Sequence, residues 1–183
     1  MSAATTRRRQ TGTIALVDVA MELVGVRVEV PDNTPVLVLR EQEGRKRVLP
    51  IMIGAPEASA IHFALEGVVS PRPMTHDLFV EVLGTVGVTL QRVLITEIRE
   101  HTYYAELSLQ TPAGPRTVSS RPSDALALAV RTGADIFATE ELLDAVGQDV
   151  AVAAVLDDDA EDDAILDEFR DFIDSINPDD FSS

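Results

Sequence analysis

The chain has 183 residues, of which 45% are hydrophobic and only 4% aromatic, so it suits one domain with or without an appendage and an aliphatic core. The formal net charge of −16 does not attract nucleic acid over a distance. The absence of cysteine excludes disulfide scaffolds, thiolate metal sites and cysteine catalysis.

The N-terminus is expected to be a flexible, mildly basic arm over residues 1–19. Three arginines at 7–9 could suggest a twin-arginine signal, but Asp18 and Glu22 interrupt the apolar stretch that such a signal requires. No run approaches the roughly 18 apolar residues of a membrane span. We therefore expect a cytoplasmic protein without a membrane partner.

The first elements are a strand and a hairpin. Residues 21–30 alternate apolar and polar side chains, which is typical of a strand with one buried face. Residues 36–41 and 46–53 flank a polar turn and predict a hairpin. The valines expected on the buried face of the first strand are Val24, Val26, Val28 and Val30.

Two helices follow the hairpin. Pro56 suits the first turn of a helix that ends at Gly67. Thr75 can cap the next helix, with Asp77 in its positive first turn and Gly87 at its end.

The second half predicts strands at 88–98 and 103–110 and a short third strand. A helix then begins at Arg121-Pro122-Ser123-Asp124, followed by a short strand and a last helix capped by Thr139. Because strands come in hairpins with helices between them, the pattern indicates an α/β (α+β) fold with a mixed sheet and helices packed on it.

The domain is expected over residues 20–147, with an acidic linker over 148–164. Residues 157–183 carry a net charge of −11, which leaves −5 for residues 1–156. The segment 165–183 predicts an acidic amphipathic helix, which needs an apolar groove on this protein or on a protein partner. Its regularly spaced apolar residues are Ile165, Phe169, Phe172, Ile173 and Ile176.

Two loops share one layout. Arg72-Pro73 precedes Thr75 and Asp77, and Arg121-Pro122 precedes Ser123 and Asp124, each before an apolar helix. Free N–H groups at a helix start, a hydroxyl and a nearby Arg can together hold a phosphate oxygen. The alternative is ordinary helix capping with a solvated Arg.

Several residues near these loops are candidates for chemistry. A nuclease that uses Mg²⁺ or Mn²⁺ needs clustered carboxylates, for which Glu57, Asp77 and Asp124 are candidates, although such residues are also common at helix ends. His76 is the best candidate for proton transfer, since imidazole titrates near neutrality. His62 lies on an apolar helix face, and His101 lies in a hairpin turn.

The motifs together resemble the bifunctional nuclease domain family over roughly residues 20–147. The resemblance implies cleavage of RNA and DNA by a compact, homo-oligomeric α/β domain without an organic cofactor, but it carries over no catalytic residues. Ser119-Ser120 replaces an Asp-Ala pair of many relatives. The residues that carry it are Pro50 to Gly54, Glu57-Ala58, Ala60-Ile61, Arg72 to Leu78 and Arg121 to Ala125.

Two functions remain open at this point. In the first, Arg72 and Arg121 bind phosphate, and the carboxylates and His76 cleave nucleic acid. In the second, the domain is a non-catalytic binding or regulatory module that acts through oligomerisation and its C-terminal helix, with the Arg-Pro loops as structural or interface elements.

Overall fold

A computed structural model of the protein describes residues 18–29 and 33–148. Within them, the chain forms seven strands and four helices. The strands are β1 (Asp18–Glu29), β2 (Thr34–Glu41), β3 (Val48–Met52), β4 (Thr89–Arg99), β5 (Thr102–Thr111), β6 (Gly114–Ser120) and β7 (Asp135–Thr139). The helices are α1 (Ala55–Leu65), α2 (Thr75–Thr85), α3 (Pro122–Thr132) and α4 (Glu140–Val146).

The strands form one mixed sheet in the order β3-β2-β1-β7-β4-β5-β6. The β4–β7 pair is parallel, and the other neighbouring pairs are antiparallel. Helix α1 packs on β1 and β2, α3 packs on β4, β5 and β7, and α2 packs mainly on α3. The predicted hairpin-rich mixed sheet with packed helices is therefore confirmed.

The prediction that Val24 lies on the buried face of its strand was wrong. The pairing of β1 with β2 shifts register between Leu23 and Gly25, which marks a β-bulge. Met21 and Leu23 face the core before the bulge and Val26 faces it afterwards, so the side-chain alternation changes phase by one residue. Val24 is left 41% exposed.

Helix ends agree with the sequence except at α2. Gly67 and Gly133 adopt positive φ angles of 66° and 70° beyond α1 and α3, and the Thr139 hydroxyl accepts from the Leu142 amide at the start of α4. Thr75 was wrongly predicted as a cap. Met74 holds that position, and its amide donates to the Asp77 carboxylate over 3.0 Å.

A buried ion cluster joins the β2–β3 hairpin to α4. The Arg47 side chain is 2% exposed and donates to Glu41 over 2.6 Å, to Glu140 over 2.9 Å and to Asp144 over 2.8 Å. The hydrogen bond from Arg47 holds the pKa of Glu41 below its usual value. Arg47 thereby joins α4 to the hairpin, and removal of Arg47 or Glu41 leaves the other charge buried without its partner.

The predicted arm over 1–19 lies outside the described residues except for Asp18 and Val19. Of the predicted linker, only Gln148, which pairs with Val48, lies within the described residues. The predicted helix over 165–183 lies entirely outside them. In the part of the chain that the structure describes, no helix is long and apolar enough to span a membrane.

Candidate functional site

The starts of α2 and α3, the helices that follow the two Arg-Pro loops, are in contact. Nε2 of His76, in the first turn of α2, lies 3.3 Å from Oδ1 of Asp124, in the first turn of α3. Glu57, in the first turn of α1, contacts Arg121 at the start of α3. The starts of three helices therefore bring four predicted site residues into one network.

Arg121 binds both carboxylates of this network. Its Nε donates to Asp124 over 2.7 Å and its Nη2 over 2.9 Å, and its Nη1 lies 3.0 Å from Oε1 of Glu57. The carboxylates, Asp124 first, raise the pKa of Arg121. A guanidinium has five N–H groups, so two have no bond among the described residues, on a side chain that is 65% exposed. These donors are available to an anion.

Asp124 sets the tautomer of His76. Hydrogen bonds from Arg121 lower the pKa of Asp124 against the effect of burial, and His76 adds to the lowering. An ionised Asp124 carboxylate can only accept, so Nε2 of His76 is the donor in this contact. We therefore assign the imidazole lone pair to Nδ1, where it can accept a proton from an attacking water or hydroxyl.

Glu57 reaches Arg121 because Gly54 leaves room for its carboxylate. A Cβ added at Gly54 would lie 2.3 Å from Oε2 of Glu57, far inside contact distance. Gly54 has φ −76° and ψ 155°, an extended conformation open to any residue, so the lack of a side chain is what matters here. A substitution at this position would displace the carboxylate.

Asp77 has different partners. Its carboxylate accepts from the Met74 amide and from Nε of Arg131, which also donates to the carbonyls of Ala60 and Ala127. Burial opposes ionisation of Asp77, but the bonds from Arg131 and Met74 outweigh it and lower its pKa. Asp77 thus joins α2 to α3. Its catalytic and metal-binding roles stay predictions.

The other predicted phosphate ligands are dispersed. Ser123 is buried beside Arg121, and its hydroxyl makes no hydrogen bond within residues 18–29 and 33–148. Thr75 is exposed at the first position of α2. Arg72 is exposed and makes no ion pair with a described residue. Ser123 therefore adjoins the network, whereas Arg72 makes no hydrogen bond or ion pair with any of its four members.

A cavity of about 340 Å³ opens at the start of α3. Arg121 and Ser123 line it together with the end of β3, His101 of the β4–β5 turn and Tyr103 at the start of β5. Burial raises the pKa of Tyr103, so its hydroxyl stays protonated at neutral pH and can donate. His101 had no assigned role from the sequence, because only the sheet pairing brings its turn to this cavity.

The turn that carries His101 has an unusual backbone. Glu100 and His101 have φ angles of 47° and 63°, in the left-handed region that residues other than glycine seldom adopt. Two consecutive positive φ angles form a tight hairpin turn, normally made with Asn and Gly. A tight hairpin turn made of Glu and His, rather than of Asn and Gly, depends on support from its surroundings. Glu100 and His101, which lie between the predicted strands, could therefore have marked this turn as a constrained one.

The carboxylates are arranged around a guanidinium. Among the described residues, no three His, Asp or Glu side chains form a group that could hold a metal ion. Glu57 and Asp124 nevertheless offer the carboxylate oxygens that Mg²⁺ prefers, and Mg²⁺ is often held by one or two carboxylates together with water and substrate phosphates. In the structure Arg121 binds both of these carboxylates.

Comparison with known sequences identifies the family. The profile of the bifunctional nuclease domain matches residues 37–151, more than half of the chain. The chain belongs to the bifunctional nuclease domain family. The matched range includes Glu57, His76, Arg121 and Asp124, so the whole network lies inside the family domain. The resemblance inferred from the sequence motifs is confirmed.

Relatives of two kinds match the chain. An uncharacterized protein of Mycobacterium tuberculosis (strain ATCC 25618 / H37Rv) is 41% identical over 170 residues, 89% of this chain and 98% of that protein. Bifunctional nuclease 2 of Oryza sativa subsp. japonica is 32% identical over 108 residues, 56% of this chain but 33% of the rice protein. The similarity is thus nearly end to end with the bacterial protein and partial with the plant protein.

Proposed function

We propose that the chain is a nuclease that hydrolyses phosphodiester bonds of RNA and DNA at the start of α3. The observation that carries this proposal is the single network of Glu57, His76, Arg121 and Asp124 beside a cavity. The exposed guanidinium can bind a phosphate through its two free N–H groups. Nδ1 of His76 can take the proton of the attacking hydroxyl or water. The names of the rice relatives support this choice.

We further propose that the reaction depends on Mg²⁺ or Mn²⁺. Two carboxylates against one guanidinium give the network a net negative charge, which repels phosphate unless a cation offsets it. Glu57 and Asp124 would hold the ion, which would supply charge neutralisation at the phosphate. Arg121 would then be released from a carboxylate and free to bind the substrate. No organic cofactor is proposed, and the substrate is nucleic acid in the cytoplasm.

A cleavage assay tests the proposal. Labelled single-stranded RNA and DNA are incubated with the full chain in Mg²⁺, Mn²⁺ or EDTA. We expect metal-dependent cleavage that falls by about 10²–10³ in Arg121→Ala. Arg116→Ala is the matched control, because Arg116 is an exposed arginine on β6 outside the network. Absence of cleavage by the natural chain, or equal cleavage by both variants and the natural chain, contradicts the proposal.

The second candidate function is a non-catalytic binding or regulatory module. It is favoured by the pairing of Glu57 and Asp124 with Arg121, which leaves no carboxylate of the network without a cation. In that case the full chain binds an anionic ligand through Arg121 without cleaving it. Salt-dependent binding of a non-hydrolysable oligonucleotide, lost in Arg121→Ala and unaccompanied by cleavage of the ordinary substrate, would favour this function.

A further inference from the structure

Helix α2 turns an apolar stripe away from the domain. None of its residues is buried. At 3.6 residues per turn, three of its large apolar side chains and that of Val86, the residue after the helix, fall within about 100° of arc. Val80, which packs against the core, and Asp77, which binds Arg131, lie on the opposite side of the helix. The stripe consists of Leu78, Phe79, Val82 and Val86, each about half exposed.

This stripe has the composition of a contact surface rather than of a solvent-exposed helix face. A surface helix normally points its apolar residues at the core and its polar residues outward, and α2 does the reverse over these positions. Four half-exposed side chains of this size present on the order of 400 Å² of apolar surface, about half of the ~800 Å² that each partner contributes to a standard interface. The stripe alone is therefore small for association with a separate molecule.

A segment of the same chain can bind to a smaller apolar surface than a separate molecule needs, because the tether raises its effective concentration to the millimolar range. Residues 165–176 have the required pattern, with Phe169, Phe172 and Ile176 at spacings of three and four. This stretch of 12 residues matches α2, which has 11. Two amphipathic helices of equal length can bury their apolar sides against each other.

The length of the intervening chain permits this contact. The described part ends at Gln148, which is paired with Val48 on β3. The 16 residues from 149 to 164 can span about 55 Å when extended. A domain of this size has a diameter of roughly 35 Å, so the length of the segment does not prevent residue 165 from reaching α2.

Charge is complementary to an acidic segment at the start of α2, whereas Glu81 farther along the helix is exposed and acidic. Residues 165–176 carry four acidic residues and one arginine, a net charge of −3. Arg72 is exposed, has no ion-pair partner among the described residues, and lies three positions before the first residue of α2. We propose that residues 165–176 dock as an amphipathic helix on the outer stripe of α2, with their acidic side toward Arg72.

Engineered cysteines test the contact directly, because the natural chain has none. A disulfide requires Cα atoms within about 7 Å. In the full chain, Val82→Cys with Phe172→Cys should form an intrachain disulfide at least tenfold faster than the control pair Thr117→Cys with Phe172→Cys, since Thr117 is exposed on β6. Equal rates overturn the proposal. A dimer cross-linked through Val82→Cys alone also overturns it, because the occupant is then a second copy.

Hydrogen exchange supplies an independent readout. In the full chain, Phe169→Ala with Phe172→Ala should increase amide exchange in residues 75–85 at least threefold. Phe181→Ala is the matched control, since Phe181 lies beyond the amphipathic segment, and it should leave α2 unchanged. Unchanged exchange in the double variant, or the same increase in the control, would show that the segment does not cover this helix.

Discussion

The Arg121 side chain donates two parallel hydrogen bonds, of 2.7 and 2.9 Å, to the carboxylate of Asp124, three residues later. An Asp in the first turn of a helix commonly accepts from backbone amides. The Asp124 carboxylate instead holds Arg121 on one side and reaches His76 of α2 on the other. This one side chain therefore joins Arg121 to the helix that follows the other Arg-Pro loop, and substitutions at it should affect both contacts.

Asp124→Asn should lower cleavage by roughly 10²-fold or more, because it removes the charge that orients Arg121 and fixes the His76 tautomer. The rate of oligonucleotide cleavage at saturating enzyme measures this. Glu81→Gln is the control, since Glu81 is an exposed acidic residue of α2 outside the network. A variant with the natural rate would remove Asp124 from the mechanism.

Glu41→Gln should destabilise the fold by about 3 kcal/mol at neutral pH, because it leaves Arg47 buried with a weaker partner. The lowered pKa of Glu41 means that its carboxyl binds a proton less tightly in the folded chain than in the unfolded chain. The resulting stability is present above the unfolded pKa of about 4.3 and is lost as the pH falls through the folded value.

Urea unfolding at several pH values measures both effects. The free energy of unfolding of the natural chain should fall as the pH drops below about 4, near the unfolded pKa values of these carboxyls, since Asp77 and Asp124 also have lowered pKa values and act in the same direction. The Glu41→Gln variant should show a shallower decline. Identical slopes for the two proteins would contradict the contribution assigned to Glu41.

Arg131→Met should destabilise the domain by about 2–3 kcal/mol, because Arg131 binds Asp77 on α2 and the Ala60 carbonyl on α1 while its side chain is only 10% exposed. Urea unfolding measures the change. Arg116→Met on the exposed β6 strand should remain within about 0.5 kcal/mol of the natural chain. Equal stability of the two variants would show that Arg131 does not hold the helices together.

Gly54→Ala should lower cleavage at least tenfold, because the added Cβ occupies the space of the Glu57 carboxylate. Gly84→Ala is the control, since nothing lies within 4 Å of its added Cβ, and this helical substitution should raise stability by about 0.5–1 kcal/mol without a change in rate. If Gly54→Ala cleaves at the natural rate, the space beside Gly54 is not needed for the reaction.

The sequence could predict the order and type of most elements, because hydrophobic periodicity and glycine stops are local signals. It could not predict the bulge that exposes Val24, because a bulge is defined by pairing between strands. The cap of α2 was also missed. Thr75 has the usual chemistry of a cap, but the Asp77 carboxylate binds the Met74 amide instead.

The candidate site was only partly accessible from the sequence. The shared Arg-Pro layout correctly selected Arg121, Asp124 and His76 as neighbours of helix starts, since that is a local property. Their contact depends on how α2 packs on α3, across 48 residues of chain. The buried Arg47 and the cavity position of His101 gave no local signal, because each depends on residues that are distant in the sequence.

The measurement that tests the central claim most directly is a comparison of cleavage rates for Arg121→Ala, Asp124→Asn and the variant that combines them. When residues act as one unit in catalysis, the first substitution already removes most of the rate enhancement that they provide together. We predict that the combined variant is no more than about threefold slower than the slower single variant. A combined loss equal to the product of the single losses, or no loss in any variant, would contradict a single catalytic network at the start of α3.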